Sequence, residues 1–513
     1  MVLQVCVGAE GSTLDPTYLA EVDPADYVSH LFEGLMKYGA TDTTAAVSYS
    51  RVTLGLAERA VCSDDGLTWR FTLREDACWS DGKPIVSSDF VYAWQRLLTP
   101  AARGETAHAA GAAQLYGVIV NAEAVAEGEM LPDELGVYTE GERTLVVKLE
   151  RPCPWFEKLC AMPCMVPLRR DIIEAYGGDW TNERNIVVSG AYTVTEWVHD
   201  DYMRLEPNPY YYDRKNVGPE AIVWRFGAEG GAGCDFVGDV SDVAAVGSVS
   251  VAGTYYLYLN ANAIPDWRVR AAMLLSVDRD ALAVELGGGV RPAEGLVPAG
   301  ISRSDGTAYT PHHGAMYAWL AGQYPDYDLT DYEGRCRLAK RIMGEALAGG
   351  SWYSSYKLYY RFNESTVNRI VAERCCSDWK RELGLTVEFV LMDVDTYRSR
   401  LKTNTFDVAY LSWLPDYDDA QSFLQIMERG GAFNHSGWGD VRYNEQLQLA
   451  EVCMDAAARD AMLRHGDEML FEAERFAVCP LFWFGENYYA ADGLAGVGHS
   501  PAMGYSFHYA SKS

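Results

Sequence analysis

The spacing of hydrophobic and polar positions changes along this chain, and each change predicts an element. Leu3-Gln4-Val5-Cys6-Val7 is a short apolar run that predicts a buried strand, with a loop after it at Gly8-Ala9-Glu10-Gly11 and Leu14-Asp15-Pro16. Asp23-Pro24 offers a cap and a first-turn proline, and Tyr27, Val28, Leu31, Phe32 and Leu35 recur at helical spacing, so a helix is predicted as far as Met36. Leu67 to Leu73 alternates, and the turn Ser63-Asp64-Asp65-Gly66 before it predicts a hairpin. Ser87-Ser88-Asp89 then caps a helix from Phe90 to Leu98 that stops at Pro100.

Two more strands are predicted from Ala191 to Val198 and from Tyr202 to Leu205, followed by the aromatic turn Asn208-Pro209-Tyr210-Tyr211-Tyr212. After a glycine-rich stretch, Gly227 to Gly233, the β-prone run Thr254 to Asn260 leads into a helix from Val269 to Leu275. In the carboxyl half, Tyr356 to Phe362 reads as a strand, Ser365 to Leu383 as a helix and Leu385 to Leu391 as a strand. That order specifies a right-handed βαβ unit with parallel strands. A helix from Asp395 to Lys402 and a strand from Phe406 to Leu411 follow, so this half is an α/β domain whose ligands are expected beyond the carboxyl ends of its strands.

The 513 residues exceed one ordinary core, so two or three packed units are expected. Hydrophobic residues make up 49% and charged residues 22%, with no tract that reads as a disordered linker. No run approaches the ~18 apolar residues that span a bilayer, and the opening Met1 to Cys6 lacks an export signal. Either the protein is cytosolic or the native export signal is absent from this chain. The formal charge of −29 disfavours nucleic acid and anionic membranes as partners and favours neutral or cationic ligands.

Twelve cysteines show no CxxC spacing, so buried free thiols are expected, and no disulfide can be assigned. Nine histidines show no HxH or HxxxH spacing. Neither GxSxG, HExxH, a Walker loop nor a dinucleotide fingerprint occurs in credible context, so no enzyme activity, metal or cofactor is expected.

Several runs, in order, resemble the peptide-binding solute-binding proteins of oligopeptide and dipeptide ABC importers. They are Leu14-Asp15-Pro16, Leu31-Phe32-Glu33-Gly34-Leu35, Ser63 to Trp69, Leu73 to Pro84, Asp89 to Arg96, Gly190-Ala191-Tyr192, Arg268-Val269-Arg270, Ser276 to Asp280 and Trp413 to Tyr417. The resemblance implies an α/β, two-lobed periplasmic-binding-protein-like (type II) fold with an extra subdomain inserted in the first lobe. Lobe I would comprise 1–43, 167–253 and 482–513, the inserted subdomain 44–166, and lobe II 254–481, with crossings near Thr254 to Asn260 and Leu481 to Gly485. Glu220 to Val251 is shorter and richer in glycine than the family's usual segment.

The implied function is extracytoplasmic capture of short peptides, the lobes closing by a hinge, and delivery to an ABC importer permease by a monomer. The protein would meet the membrane only through a removed lipid anchor or the permease. A tolerant peptide receptor must grip main-chain groups and charged ends, since these are all that arbitrary sequences share. By resemblance, Asp416 would meet the ligand's α-ammonium, and the backbone of Ala20, Glu21 and Val22 would pair with the ligand. Ala20 stands where a member of the family carries an acidic side chain. Trp413 and Leu414 would supply strand edge and pocket wall, with a core position as the alternative for Trp413. Phe484 lies where relatives can present a tyrosine hydroxyl, which it cannot. No residue for the ligand carboxylate is assignable. The same fold could instead bind a metal chelate, haem or an oligosaccharide, or act as a peptide-sensing receptor.

Overall fold

A computed structural model describes residues 1–18, 25–99, 111–227, 233–240, 245–307, 309, 315–350, 355–361, 365–415, 417–500 and 504–513. The chain divides into two compact units. The first comprises Met1–Val249, Val452–Met454 and Asn487–Ser513; the second comprises Ser250–Glu451 and Asp455–Glu486. The chain passes from first to second within the strand Gly247–Leu259 and returns within Val478–Ala490.

Among the described residues the first unit contains three larger sheets and a two-stranded one, Leu494–Ala495 with Ser511–Lys512. Val2–Val7 pairs in parallel with Ala221–Phe226 and with Phe236–Val237, and Tyr202–Pro207 and Tyr192–Val198 extend that sheet antiparallel. Met36–Ala40, Val47–Leu54, Val497–Ser500 and Gly504–Ser506 form the second sheet. Ala57–Cys62, Thr68–Leu73, Thr144–Lys148 and Val137–Thr139 form the third. The predicted hairpin belongs to the third sheet: Trp69, Phe71 and Leu73 point inward, and Gly66 takes φ 73° at the turn, a conformation that disfavours any side chain.

Two predictions change here for local reasons. The helix expected to reach Met36 spans Ala25–Leu31, because Met36 begins a strand and a Cβ on Gly34 would lie 2.7 Å from the Cys160 carbonyl. Its proposed cap, Asp23-Pro24, lies outside the described residues. The next helix spans Ser87–Leu98 with Val86 as its N-cap residue, and Asp89 reaches back to the Val86 N–H at 3.0 Å instead of lying outside the helix.

Cys6 and Cys234 form the disulfide that the sequence left unassigned, tying the first strand to the segment just before Phe236–Val237. The other ten cysteines form no disulfide. Burial pushes the Cys164 and Cys376 thiols up to about 12, which keeps them unreactive.

The second unit is α/β. Ser355–Arg361 and Thr386–Met392 pair in parallel across the helix Thr366–Leu383, as the strand-helix-strand pattern predicts. That helix starts at the Ser365 cap and ends at Gly384, φ 70°. Next in the sheet come Val408–Trp413, the Thr254–Leu259 end of the strand Gly247–Leu259, and Val478–Ala490. Val408–Trp413 runs two residues further than predicted. The helices Trp267–Leu275, Tyr332–Ala348 and Thr366–Leu383 pack together, and one continuous core joins the sheet to them.

Candidate functional site

Several of the recurring runs hold the first unit together. Asp15, buried, accepts from Thr17 N–H at 3.0 Å, Trp180 Nε1 at 3.2 Å and both terminal nitrogens of Arg96 at 2.9 and 2.6 Å. Leu14-Asp15-Pro16 is thereby locked to the helix that carries Arg96, a bidentate geometry that fixes orientation as well as distance. Residues 19–24, which include Ala20, Glu21 and Val22, lie outside the described residues, directly after this anchor.

Glu33 accepts from Tyr211, from Tyr212 at 2.6 Å and from Lys37 Nζ at 3.4 Å. Burial opposes the Lys37 charge, but Glu33, with Tyr212 and Tyr509, overcomes that and holds its pKa above the ordinary range. Arg270 and Arg279, from the two runs near residue 275, are buried and donate to backbone carbonyls such as Arg475 O and Pro480 O. These motif residues bind protein groups, which accounts for them structurally. Two cavities of the first unit, about 50 Å³ beside Glu33, Lys37 and His508 and about 560 Å³ beside Arg51, Asp213 and Tyr509, involve none of the sequence-predicted site residues.

In the second unit, Trp413 closes its strand opposite Thr254, whose hydroxyl donates to Leu296 O at 2.9 Å. Its ring meets Phe433 edge to face at 4.8 Å and packs against the unit's core, and its Nε1 is buried without a partner among the described residues. Leu414 is the next residue and turns to the opposite face of the sheet, where it is 55% exposed. On that face it joins Phe484: a Cβ on Gly253 would lie 2.9 Å from Leu414 Cδ2 and 2.1 Å from Phe484 Cδ2. The missing side chain at Gly253 is what lets the Phe484 ring lie against the strand. The sequence signal for this was a glycine inside a strand, and it fell outside the predicted run, which began at Thr254.

Phe484 ends a ladder of rings on the same face. Phe484 and Phe482 are 5.9 Å apart, Phe482 stacks on Tyr255 at 4.8 Å, Tyr255 on Tyr410 at 5.3 Å, and Tyr410 on Tyr397 at 5.5 Å. Asn368 bridges two of the phenols, accepting from Tyr255 and donating to Tyr410, each at 3.0 Å. The ladder stiffens the sheet beneath Leu414.

Asp416 lies outside the described residues, and its acidic neighbours are engaged within the unit. Asp418 accepts from Ser302 N–H at 2.8 Å and Ser302 Oγ at 2.5 Å. Asp419 and Arg459, both 1% exposed, form a bidentate pair at 2.7 and 2.8 Å. Behind this turn Asp467, buried on the helix Ala456–Met469, accepts from Leu296 N–H at 3.0 Å and from Val297 N–H. Burial raises its carboxyl to about 7 despite those bonds. Among the described residues, no group of three or more His, Cys, Asp or Glu could hold a metal ion, and no helix is long and apolar enough to cross a membrane.

The chain matches the model of the bacterial extracellular solute-binding proteins, family 5 middle region, over residues 51–232 and 238–435. It is 28% identical over 497 residues to the periplasmic murein peptide-binding protein MppA of Escherichia coli, covering 93% of this chain and 86% of that one. It is 27% identical over 509 residues to the periplasmic oligopeptide-binding protein OppA of Escherichia coli, again covering 93% and 86%. Among solved structures, the unliganded open form of the MppA murein tripeptide-binding protein superposes with a TM-score of 0.83 at 26% identity, covering 99% of this chain and 96% of that one.

Proposed function

Because the chain belongs to family 5 of the bacterial extracellular solute-binding proteins, we propose that it captures short peptides outside the cytoplasm and delivers them to the permease of an ABC importer. Its α/β, periplasmic-binding-protein-like fold is the one that family membership implies. Relatives named for peptides cover almost the whole chain, which favours a peptide over a metal chelate, haem or an oligosaccharide.

In this reading Asp416 pairs with the ligand's α-ammonium, and the backbone at Ala20, Glu21 and Val22 pairs with the peptide main chain. One observation carries the choice of Asp416. In the acidic turn 416–419 Asp418 and Asp419 serve Ser302 and Arg459, and the resemblance of Trp413-Leu414-Pro415-Asp416 to the family assigns the ligand's cation to Asp416. Leu414, two residues before it in sequence, and Phe484 add an apolar surface, while Trp413 supports that surface from the other face. The protein acts as a carrier and performs no chemistry on the peptide.

Titration calorimetry tests the assignment. Asp416→Asn is expected to weaken a free-amine tripeptide by about tenfold or more, as loss of a charge-assisted bond implies. The same substitution should change little for an N-acetylated tripeptide, which wild type is itself expected to bind weakly. Equal affinity of wild type and variant for the free amine would remove Asp416 from the site.

A further inference from the structure

We propose that Leu414 and Phe484, seated by Gly253, form a floor that selects ligands carrying an aliphatic or aromatic side chain, an inference that rests on the peptide-capture reading above. Leu414 is 55% exposed although apolar, and its side chain and the Phe484 ring both reach the same point above Gly253. The groups offered there are a leucine side chain and the edge of a phenylalanine ring. Such a surface rewards an apolar partner and leaves a charged one desolvated without a bond.

Rigidity sharpens the preference. The Phe484 ring is backed by Phe482, tilted against it at 5.9 Å, and Phe482 continues into the stack of Tyr255, Tyr410 and Tyr397. Gly253 is the positioning residue: any side chain there would collide with the ring, since even a Cβ would approach Cδ2 to 2.1 Å. A tyrosine at 484 would present a hydroxyl; a phenylalanine presents carbon alone, so a polar contact gives way to an apolar one.

The occupant is a single side chain of a bound peptide. A floor of one leucine and one ring edge is far smaller than the ~800 Å² per partner of a stable protein interface. It also begins two residues before Asp416, where the ligand's amino end is proposed to lie.

The experiment is calorimetry of the full chain with tripeptides of alanine in which leucine or aspartate replaces one alanine at each position in turn. Leucine is expected to bind about tenfold tighter than aspartate at one position. Leu414→Ala and Phe484→Ala should each reduce that leucine-to-aspartate ratio to about threefold or less. Phe484→Tyr, which preserves the ring, should reduce it less than Phe484→Ala. Tripeptides that all bind, with no preference at any position or with a preference that survives both alanine variants, overturn the floor and leave peptide capture intact. Failure of every tripeptide to bind overturns peptide capture, and the floor with it.

Discussion

Arg459→Met is expected to lower the stability of the second unit by about 3–5 kcal/mol, because it leaves the Asp419 carboxylate buried without its counter-charge. Both side chains are 1% exposed, and the guanidinium meets the carboxylate through two bonds while its Nε donates to Ala450 O at 3.0 Å. Urea denaturation at pH 7 measures the loss. Combining Arg459→Met with Asp419→Leu should recover at least half of it, since the lone buried charge then disappears. A single-variant loss below about 1 kcal/mol, the range of surface pairs, would mean that the pair is hydrated in solution.

The two units should answer pH in opposite directions. In the second, burial raises Asp467 from 3.8 to about 7, helped by nearby Glu468. The folded state therefore holds a proton that the unfolded chain releases near pH 4. The stabilisation is complete below that pH and is lost as pH rises to 7, by up to about 4 kcal/mol. In the first unit, burial lowers His30 from 6.5 to about 4 and His499 from 6.5 to about 3, and holds His508 well below its usual value. His30 accepts from Phe507 N–H at 2.9 Å through Nε2, so its ring is neutral in the fold, and it stacks on His508 at 4.5 Å. These rings contribute fully above pH 6.5 and lose that contribution as pH falls toward 4, about 3 kcal/mol for His30 alone. Denaturation across pH 4 to 8 separates the two. Asp467→Asn should remove the decline between pH 4 and 7, and His30→Gln the decline on acidification. If the Asp467→Asn curve keeps the wild-type slope, that carboxyl is ionised in the native state.

Elements governed by local pattern were legible in the sequence. The helix Thr366–Leu383 announced itself through an apolar stripe at helical spacing, and Thr68–Leu73 through alternation and its turn. What escaped depends on residues distant in sequence. The Cys6–Cys234 pairing spans 228 residues, and Asp418 meets Ser302 across 116, so neither leaves a periodic trace. Residue types around 416–419 showed an acidic turn, but only the positions of Ser302 and Arg459 reveal which carboxylates are already engaged. By resemblance Trp413 and Leu414 were expected to supply strand edge and pocket wall, just past the predicted end of the strand at Leu411. The strand runs on to Trp413, which pairs with Thr254, while Leu414 lies over Gly253 on the opposite face. Phe484 could be read as apolar, yet its orientation is set by a glycine on a neighbouring strand.

The division of the chain also sets an order of assembly. The second unit is nearly one uninterrupted stretch, whereas the first needs the segment from Asn487 onward. In that segment Val497–Ser500 pairs with Val47–Leu54, Phe507 bonds to His30, and Lys512 reaches Asp235 at 2.6 Å. As the polypeptide emerges from its amino end, the part that appears first is therefore the part completed last. Its early strands must wait, partly uncovered, while the later unit gathers its own core, and any guardian of the nascent chain has that interval to cover.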